Sequence, residues 1–593
     1  MALRTQVLRT LLPALAFGVG AGAAAQDLTE LLPEETFLAL GMQDLEGASD
    51  RFGPFVAEWE RLGLTDTLTA LAAQGAGSVS GGPSGGTMSG GVSGGATPSL
   101  DLSAEEQEVL DTFTSPDVLG QEAWIALSAS SFSPLPALTL VTQVTPEGAE
   151  RVQALLDEAG TDGVETLEES GATFYQVPIP DAEPLQVLAY TLTDDLLAVS
   201  TNPDELRGIL RRHAGADEPN FRAAEGYQNT LQTLGEGTFY GFFNYARVAD
   251  VVAPYAQNLG FDPLVERLSG AFRTVGAAGG VVSVTDAGLV SDGFLALNQE
   301  GGDPTLYNLL SADTAARTDV PVPEGALGFS ANAFDFGGWY DYLNELALSV
   351  PELGGDLDSL VLSFTGLNLR ESVFSWAGDQ LVTVTTGLGE AAEPGVPSEN
   401  LLGDAAYLIE ATNAASAQRG LGALLQNISQ VAGSLSDPEG GAGQTGRSEE
   451  TVAGVAVTRF DLAPGATVFY AVNGGYALIG TSAEAMARTL TAQTEGTQSD
   501  VLGGVPNGAT GYAYTDNRAT YQGLAGQLGS QIRTAAGMGG AANLDFAAVE
   551  EASAAFEEFL GFVAERLSSS LSYSERDGGG VRSHTETAVD WAE

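Results

Sequence analysis

Val187-Leu188-Ala189-Tyr190-Thr191-Leu192-Thr193-Asp194-Asp195-Leu196-Leu197-Ala198-Val199-Ser200-Thr201 reads as strand, tight turn, strand and helix start. Thr467-Val468-Phe469-Tyr470-Ala471-Val472-Asn473-Gly474-Gly475-Tyr476-Ala477-Leu478-Ile479-Gly480-Thr481 reads the same way, position for position and without a gap. Identity between the two is low, but the physical grammar agrees. Asn473-Gly474 is a two-residue hairpin signal, because both residues tolerate positive φ. Thr201 and Thr481 are placed to cap the next helix, with Asp204 and Glu484 three residues on in capping-box position. Pro203 fits a first helical turn, where its missing N–H is not needed.

Working outward, further pairs fall in the same order. Pro33-Glu34 opens a strand at 36–41, and Pro323-Glu324 opens one at 326–331. Gly120-Gln121-Glu122 precedes a strand at 123–127, and Gly378-Asp379-Gln380 precedes one at 381–385. The strand 137–144 runs into a helix capped at Thr145, and 405–411 runs into a helix near Thr412. The strand 237–245 matches 508–516, and each half closes on a strand pair. The chain therefore reads as two tandem copies, residues 26–302 and 303–593. Each holds roughly eight strands and four helices, with short turns that favour antiparallel pairing. The expected class is α+β, a mainly antiparallel sheet with helices packed on one face. A strict βαβ alternation is absent, which argues against a dinucleotide-binding fold. Gln74–Ser99 is nearly all Gly, Ser and Thr and reads as a loop inserted in the first copy. Glu390–Glu399 and Asp437–Arg447 are loops by their Pro and Gly content.

Residues 1–25 read as an export signal. Arg4 and Arg9 give a positive start, Leu11 to Val19 an apolar run, and Ala23-Ala24-Ala25 a small-residue cleavage site. The apolar run is short for the roughly 20 residues of a membrane span. No later segment reaches that length, so no transmembrane anchor is expected after cleavage.

Three segments carry a family resemblance. They are Leu32-Pro33-Glu34-Glu35-Thr36-Phe37-Leu38-Ala39-Leu40, Val468-Phe469-Tyr470-Ala471-Val472-Asn473-Gly474 and Ile479-Gly480-Thr481-Ser482-Ala483-Glu484-Ala485-Met486. Together they resemble the exported bacterial domain of unknown function 3352 family. The resemblance implies an envelope location and repeated α+β units. It implies no catalytic residue.

Composition excludes much chemistry. The 593 residues hold 78 Asp plus Glu against 23 Lys plus Arg, a net charge of −55. Every strong base is arginine, because lysine is absent, and there is no cysteine. No thiolate is available as nucleophile or ligand, and no lysine for a Schiff base or phosphate loop. With only His213 and His584, a three-histidine zinc site is impossible in one chain. Such an acidic chain repels nucleic acid, whose binding needs bases that neutralise phosphates. No cofactor and no dedicated metal site are expected.

The remaining motifs are weak. Gly82-Pro83-Ser84-Gly85-Gly86 and Gly91-Val92-Ser93-Gly94-Gly95 match the nucleophile-elbow spacing, but within a Gly/Ser tract without the required strand and helix. His213 suits a helix end and His584 an exposed strand position. Asp356 and Asp358 do not complete a calcium loop. The aromatic run Phe239-Tyr240-Gly241-Phe242-Phe243-Asn244-Tyr245 is apolar on both strand faces. Phe239, Phe243 and Tyr245 fall on one face, and Tyr240 and Phe242 on the other. Phe334, Phe336, Trp339 and Tyr340 form a comparable group in the second half. Core packing is the plain account of both clusters. The alternative makes Tyr240, Phe242, Phe334 and Trp339 an apolar binding surface. The expected function is an exported, non-enzymatic binding or scaffold protein of the periplasm or cell envelope. Its partners are other envelope proteins or an apolar ligand. The first alternative is a carrier or chaperone for apolar ligands or lipid, and the second a carboxylate-dependent hydrolase.

Overall fold

A computed structural model describes residues 27–64, 119–129, 136–158, 164–178, 187–257, 262–349, 355–389, 403–436, 446–463, 466–525, 527 and 546–591. The export signal, the Gln74–Ser99 insertion, both serine motifs and the Glu390–Glu399 loop lie outside the described residues, as does nearly all of Asp437–Arg447. The chain divides into two compact units. The first takes residues 1–53, 101–311 and 576–584, and the second takes 54–100, 312–575 and 585–593.

The described residues form an α+β protein of helices and antiparallel strands. The first unit contains β1 (Thr36–Gln43), β2 (Leu119–Ser128), β3 (Ala137–Val144), β4 (Glu165–Glu169), β5 (Ala172–Pro178), β6 (Val187–Leu192), β7 (Leu196–Ser200), β8 (Phe239–Asn244), β9 (Ala277–Thr285) and β10 (Gly288–Ala296). Their pairing order is β4-β5-β6-β7-β3-β2-β1-β8-β9-β10. The second unit contains β11 (Gly328–Ala333), β12 (Ala377–Gly387), β13 (Asp404–Ala411), β14 (Arg447–Val452), β15 (Val455–Ala463), β16 (Ala466–Asn473), β17 (Tyr476–Gly480), β18 (Gly511–Thr515) and β19 (Leu567–Asp577). Their order is β14-β15-β16-β17-β13-β12-β11-β18-β19. A hairpin joins β19 to β20 (Gly580–Val589). Ten strands per half exceed the eight read from sequence, because short polar strands such as β4 and β14 carry little apolar signal.

The helices used below are α1 (Leu45–Arg61), α2 (Pro146–Glu158), α3 (Pro203–His213), α4 (Glu225–Asn229), α5 (Leu231–Leu234), α6 (Tyr245–Gln257), α7 (Asp262–Val275), α8 (Pro304–Leu310), α9 (Phe336–Leu348), α10 (Leu357–Thr365), α11 (Ala414–Ser436), α12 (Ala483–Glu495) and α13 (Phe546–Arg566). They do not all pack on one sheet face. In the first unit α3 brings Leu206, Ile209 and Leu210 onto Ala39, Trp124, Val141 and Ala198. On the opposite face α2 brings Val152 and Leu156 onto Leu140, Leu197 and Val199. The second unit does likewise, with Met486 and Leu490 of α12 in one core and Leu421 and Leu425 of α11 in another. Central strands therefore need apolar residues on both faces. All five residues of β7, Leu196-Leu197-Ala198-Val199-Ser200, are buried. Each fully buried Leu or Val contributes about 1.5–3 kcal/mol.

Local chemistry explains the ends of these elements. The turn between β16 and β17 is Gly474-Gly475, with φ of 56° and 84°, and Asn473 is the last paired residue before it. Both turn positions need left-handed backbone, which glycine adopts without steric cost. The helix caps fall one residue later than Thr201 and Thr481. Asn202 accepts from the Asp204 N–H at 3.0 Å, and Ser482 from the Ala485 N–H at 3.1 Å. The two threonines turn sideways instead. Thr201 Oγ1 accepts from the Leu138 N–H at 2.9 Å, and Thr481 Oγ1 from the Ala405 N–H at 2.9 Å. Each extends its strand ladder by one bond. Thr145 does cap α2, accepting from the Gly148 N–H at 2.9 Å.

The strands β4 and β14, at one end of each unit's pairing order, are polar. Glu165 and Glu168 on β4 and Glu449 and Glu450 on β14 are exposed.

Candidate functional site

Tyr240 and Phe242 lie in the core of the first unit. They are 8% and 4% exposed. The Tyr240 ring lies 5.5 Å from Trp124, and Phe242 lies 4.9 Å from Phe221. Leu231 of α5 packs in the same cluster. The Tyr240 hydroxyl donates to Gln43 Oε1 at 2.9 Å and accepts from the Gly237 N–H at 2.7 Å. The segment 221–234 covers this face, which the strand sequence alone does not reveal.

The opposite face of β8 differs. Phe239, Gly241 and Phe243 are all half-buried. Tyr245, assigned to that face by alternation, instead opens α6, with its ring 4.6 Å from Phe243. Pairing places Leu40 beside Gly241, Gly241 beside Gly280, and Gly280 beside Gly293. Leu40 also pairs with Ile125, and Ile125 with Leu140, so one row crosses β3, β2, β1, β8, β9 and β10. At the β3 end this row is buried beneath α2. At Leu40 it is open. Leu40 is 56% exposed although β1 is flanked by β2 and β8.

The glycines leave a lane on this face. Among the described residues, a Cβ at Gly241 would meet only Leu40 Cδ2, at 4.0 Å, and one at Gly280 only the Asp292 carbonyl, at 3.9 Å. Paired residues one step away form the walls. Leu38, Phe243 and Ala278 stand on one side, and Met42, Phe239 and Val282 on the other. Same-face side chains two apart on a strand are about 6.8 Å apart, and neighbouring strands about 4.8 Å apart. The lane is therefore as wide as one aliphatic chain and crosses the strands at right angles. Its floor and walls bear no charge.

In the second unit, the row through the strands of the same order is Thr383, Ser330, Ala513 and Ser572. These are small and mostly hydroxylated. Phe334 and Trp339 stack at 6.0 Å with an interplanar angle of 7°, and both are half-buried. They form a cluster with Phe336 and Tyr342 around the start of α9. The structure therefore brings together Tyr240 with Phe242, and Phe334 with Trp339, each pair within its own unit. Leu40, Gly241 and Gly280 escape sequence reading. Their only signal is a glycine between aromatics and two more glycines on strands whose register a sequence does not fix.

The remaining polar candidates have structural tasks. Asp356 caps α10, accepting from the Ser359 N–H at 2.6 Å, and Asp358 accepts from the Tyr340 hydroxyl. Burial and the Asp358 carboxylate push the Tyr340 hydroxyl well above its ordinary range. His213 ends α3, 3.4 Å from Asp195. His584 is no free strand residue. Its Nδ1 lies 2.8 Å from Asp292 Oδ1. Among the described residues, no three His, Asp or Glu side chains are grouped to hold a metal ion. No described helix is long and apolar enough to cross a membrane.

The fold and the lane define an α+β protein whose most distinctive surface is an uncharged strip on a sheet face. The chain belongs to the family described as protein of unknown function DUF3352, which matches residues 119–544. No curated protein matches it. Among solved structures it is similar to a chain titled "Structure of crystal form I of TP0453". Identity is 11%, over 50% of this chain and 89% of that one, with a TM-score of 0.23.

Proposed function

We propose an exported, non-enzymatic binding protein of the cell envelope that holds a single apolar chain, such as an acyl or alkyl group, in the Gly241–Gly280 lane. The observation that carries this reading is Leu40, more than half exposed on an interior strand, beside two glycines with open space above them. Exposed leucines are common on protein surfaces, but an uncharged lane walled by two phenylalanines in mid-sheet is not. The export reading rests on Arg4, Arg9, the apolar run and Ala23-Ala24-Ala25.

The chain is further read as two tandem copies of one unit. The same strand order in both halves supports this. So do paired details. Glu122 and Gln380, both followed two residues on by a buried core residue, each accept a backbone N–H from the segment leading into the first strand, Leu28 at 3.2 Å and Arg317 at 2.9 Å. Asn244, the last residue of β8, and Asp516, the residue after β18, each cap the turn that follows, accepting from Arg247 N and Ala519 N at 2.9 Å.

The experiment is titration of a fluorescent fatty acid into the full chain and into Gly241→Val. Valine has high strand propensity and, with open space above it, keeps the fold intact. Saturable uptake by the wild type, weakened at least tenfold in Gly241→Val at equal thermal stability, is the expected result. Equal uptake by both proteins, or none by the wild type, overturns the lane as a binding site.

A further inference from the structure

A second site of opposite chemistry lies at the strand ends of the first unit. A cavity of about 250 Å³ opens where β8 ends at Asn244, β9 begins at Ala277 and β10 ends at Ala296. Asn229 and Glu225 of α4, Arg247 and Asp250 of α6, Glu34 and Asn298 complete its polar lining.

Arg247 is the anomaly. Its guanidinium has no carboxylate or hydrogen-bond partner among the described residues; only its backbone N–H is engaged, by Asn244. In this acidic protein its neighbours in sequence are all paired: Arg207 with Asp204, Arg211 with Glu218, Arg222 with Asp27, and Arg267 with Asp303. One helical step on from Arg247, Asp250 is its natural partner, but Asp250 holds Arg273 at 2.9 Å. Arg247 also sits in the first turn of α6, where the helix dipole disfavours a cation. The capping turn does not need it, because Asp516 caps the corresponding turn of the second unit with Ala519 in the arginine's place.

The amides beside it are free too. The side chains of Asn229 and Asn298 make no hydrogen bond among the described residues. Two glycines make room for amide groups. A Cβ at Gly226 would lie 2.9 Å from Asn244 Nδ2, and one at Gly276 would lie 2.7 Å from Asn298 Nδ2. The cavity thus presents one cation without an ion pair, amide donors and acceptors, and the Glu34 and Glu225 carboxylates, while the third carboxylate, Asp250, is held by Arg273.

We propose that this cavity binds a small polar carboxylate. Its carboxyl group pairs with Arg247, and its hydroxyl or ammonium groups engage Asn229, Asn298 and Glu225. Guanidinium and carboxylate match as a two-bond fork, which a neutral polar molecule does not offer. Sugar acids and amino acids share this chemistry.

The test is calorimetric titration of the full chain at low salt with D-glucuronate, with L-serine, and with neutral D-glucose. Saturable binding of one of the two carboxylates identifies the source. The affinity should fall at least tenfold in Arg247→Ala and several-fold in Asn298→Ala, with thermal midpoints unchanged. Glucose should not bind. Failure of both carboxylates to bind, equal affinity in Arg247→Ala, or equal binding of glucose overturns the proposal. Asn298→Ala keeps the test valid if the arginine variant misfolds. This outcome is independent of the fatty-acid titration, because no residue is shared by cavity and lane.

Discussion

Trp124 donates its indole N–H to Glu122, two residues back on the same strand, at 2.7 Å. The same buried carboxylate accepts from Gln43 Nε2 at 3.0 Å, from the Leu28 N–H at 3.2 Å and from Gln143 Nε2 at 3.4 Å. Among the described residues no cation joins this cluster. Burial raises the Glu122 pKa above its ordinary 4.5 and outweighs the surrounding donors, and the nearby Asp27 charge adds to the rise. The folded state then holds its proton more tightly than the unfolded chain. The stabilising contribution is complete below the unfolded pKa and is lost as pH rises through the folded one. Wild-type stability relative to Glu122→Gln should therefore fall as pH rises from about 4.5 and level off above the folded pKa. Thermal unfolding of both proteins across pH 4 to 8 checks this, and parallel curves would contradict it.

The two faces of β8 should respond differently to truncation. Tyr240→Ala and Phe242→Ala each open a cavity in a closed core and should cost about 3–5 kcal/mol. Phe243→Ala removes a half-buried ring and should cost about 1–2 kcal/mol, nearer a partial transfer term. Phe243→Ala should also weaken fatty-acid uptake, as a wall of the lane is lost. Denaturant unfolding and probe titration on the same three variants measure both effects.

Thr201→Val and Thr481→Val should behave alike. Each leaves one backbone N–H, of Leu138 or Ala405, without its acceptor. Valine has the same shape, so each variant leaves one unsatisfied donor, about 1–3 kcal/mol, and Thr481→Val also loses the bond its hydroxyl donates to the Gly403 carbonyl at 2.6 Å. Urea midpoints should shift down in both variants, with unchanged slopes.

Gly474→Ala should destabilise the β16–β17 hairpin. Its φ of 56° is left-handed, and a Cβ there would lie 2.5 Å from Gln493 Nε2. The backbone penalty alone is about 1–2 kcal/mol. Restoration of stability by a second change, Gln493→Ala, should be partial, because only the contact is relieved.

Much of the strand order is legible in the sequence because turn chemistry is local. Gly474-Gly475, Thr145-Pro146 and Asn202-Pro203 punctuate the chain wherever they fall. The caps slip by one residue because Thr201 and Thr481 have a better use. Each bonds a strand that precedes it by more than sixty residues, and spacing along the chain does not expose such a bond. The faces of β8 are the harder case. Phe239, Tyr240, Phe242 and Phe243 are alike in apolarity, so periodicity does not say which face is dry. That depends on Phe221 and Leu231, brought over one side by the turns between α3 and β8. The lane is harder still. Gly241, Gly280 and Gly293 meet only through the registers of two strand pairs. The polar cavity is not legible in sequence, because Arg247 looks like any other arginine until its neighbours are seen to be paired.

The glutamates of β4 and β14 have a colloidal consequence. A sheet edge is a template on which a further strand can add, and growth along that axis is the route to fibrils. Here any identical edge that approaches brings the same carboxylates, so like charge meets like charge at that end of each unit's pairing order. The guard consists of ionised oxygens and not of bulk. The acidic composition thus works against edge-to-edge growth of a strand-rich chain.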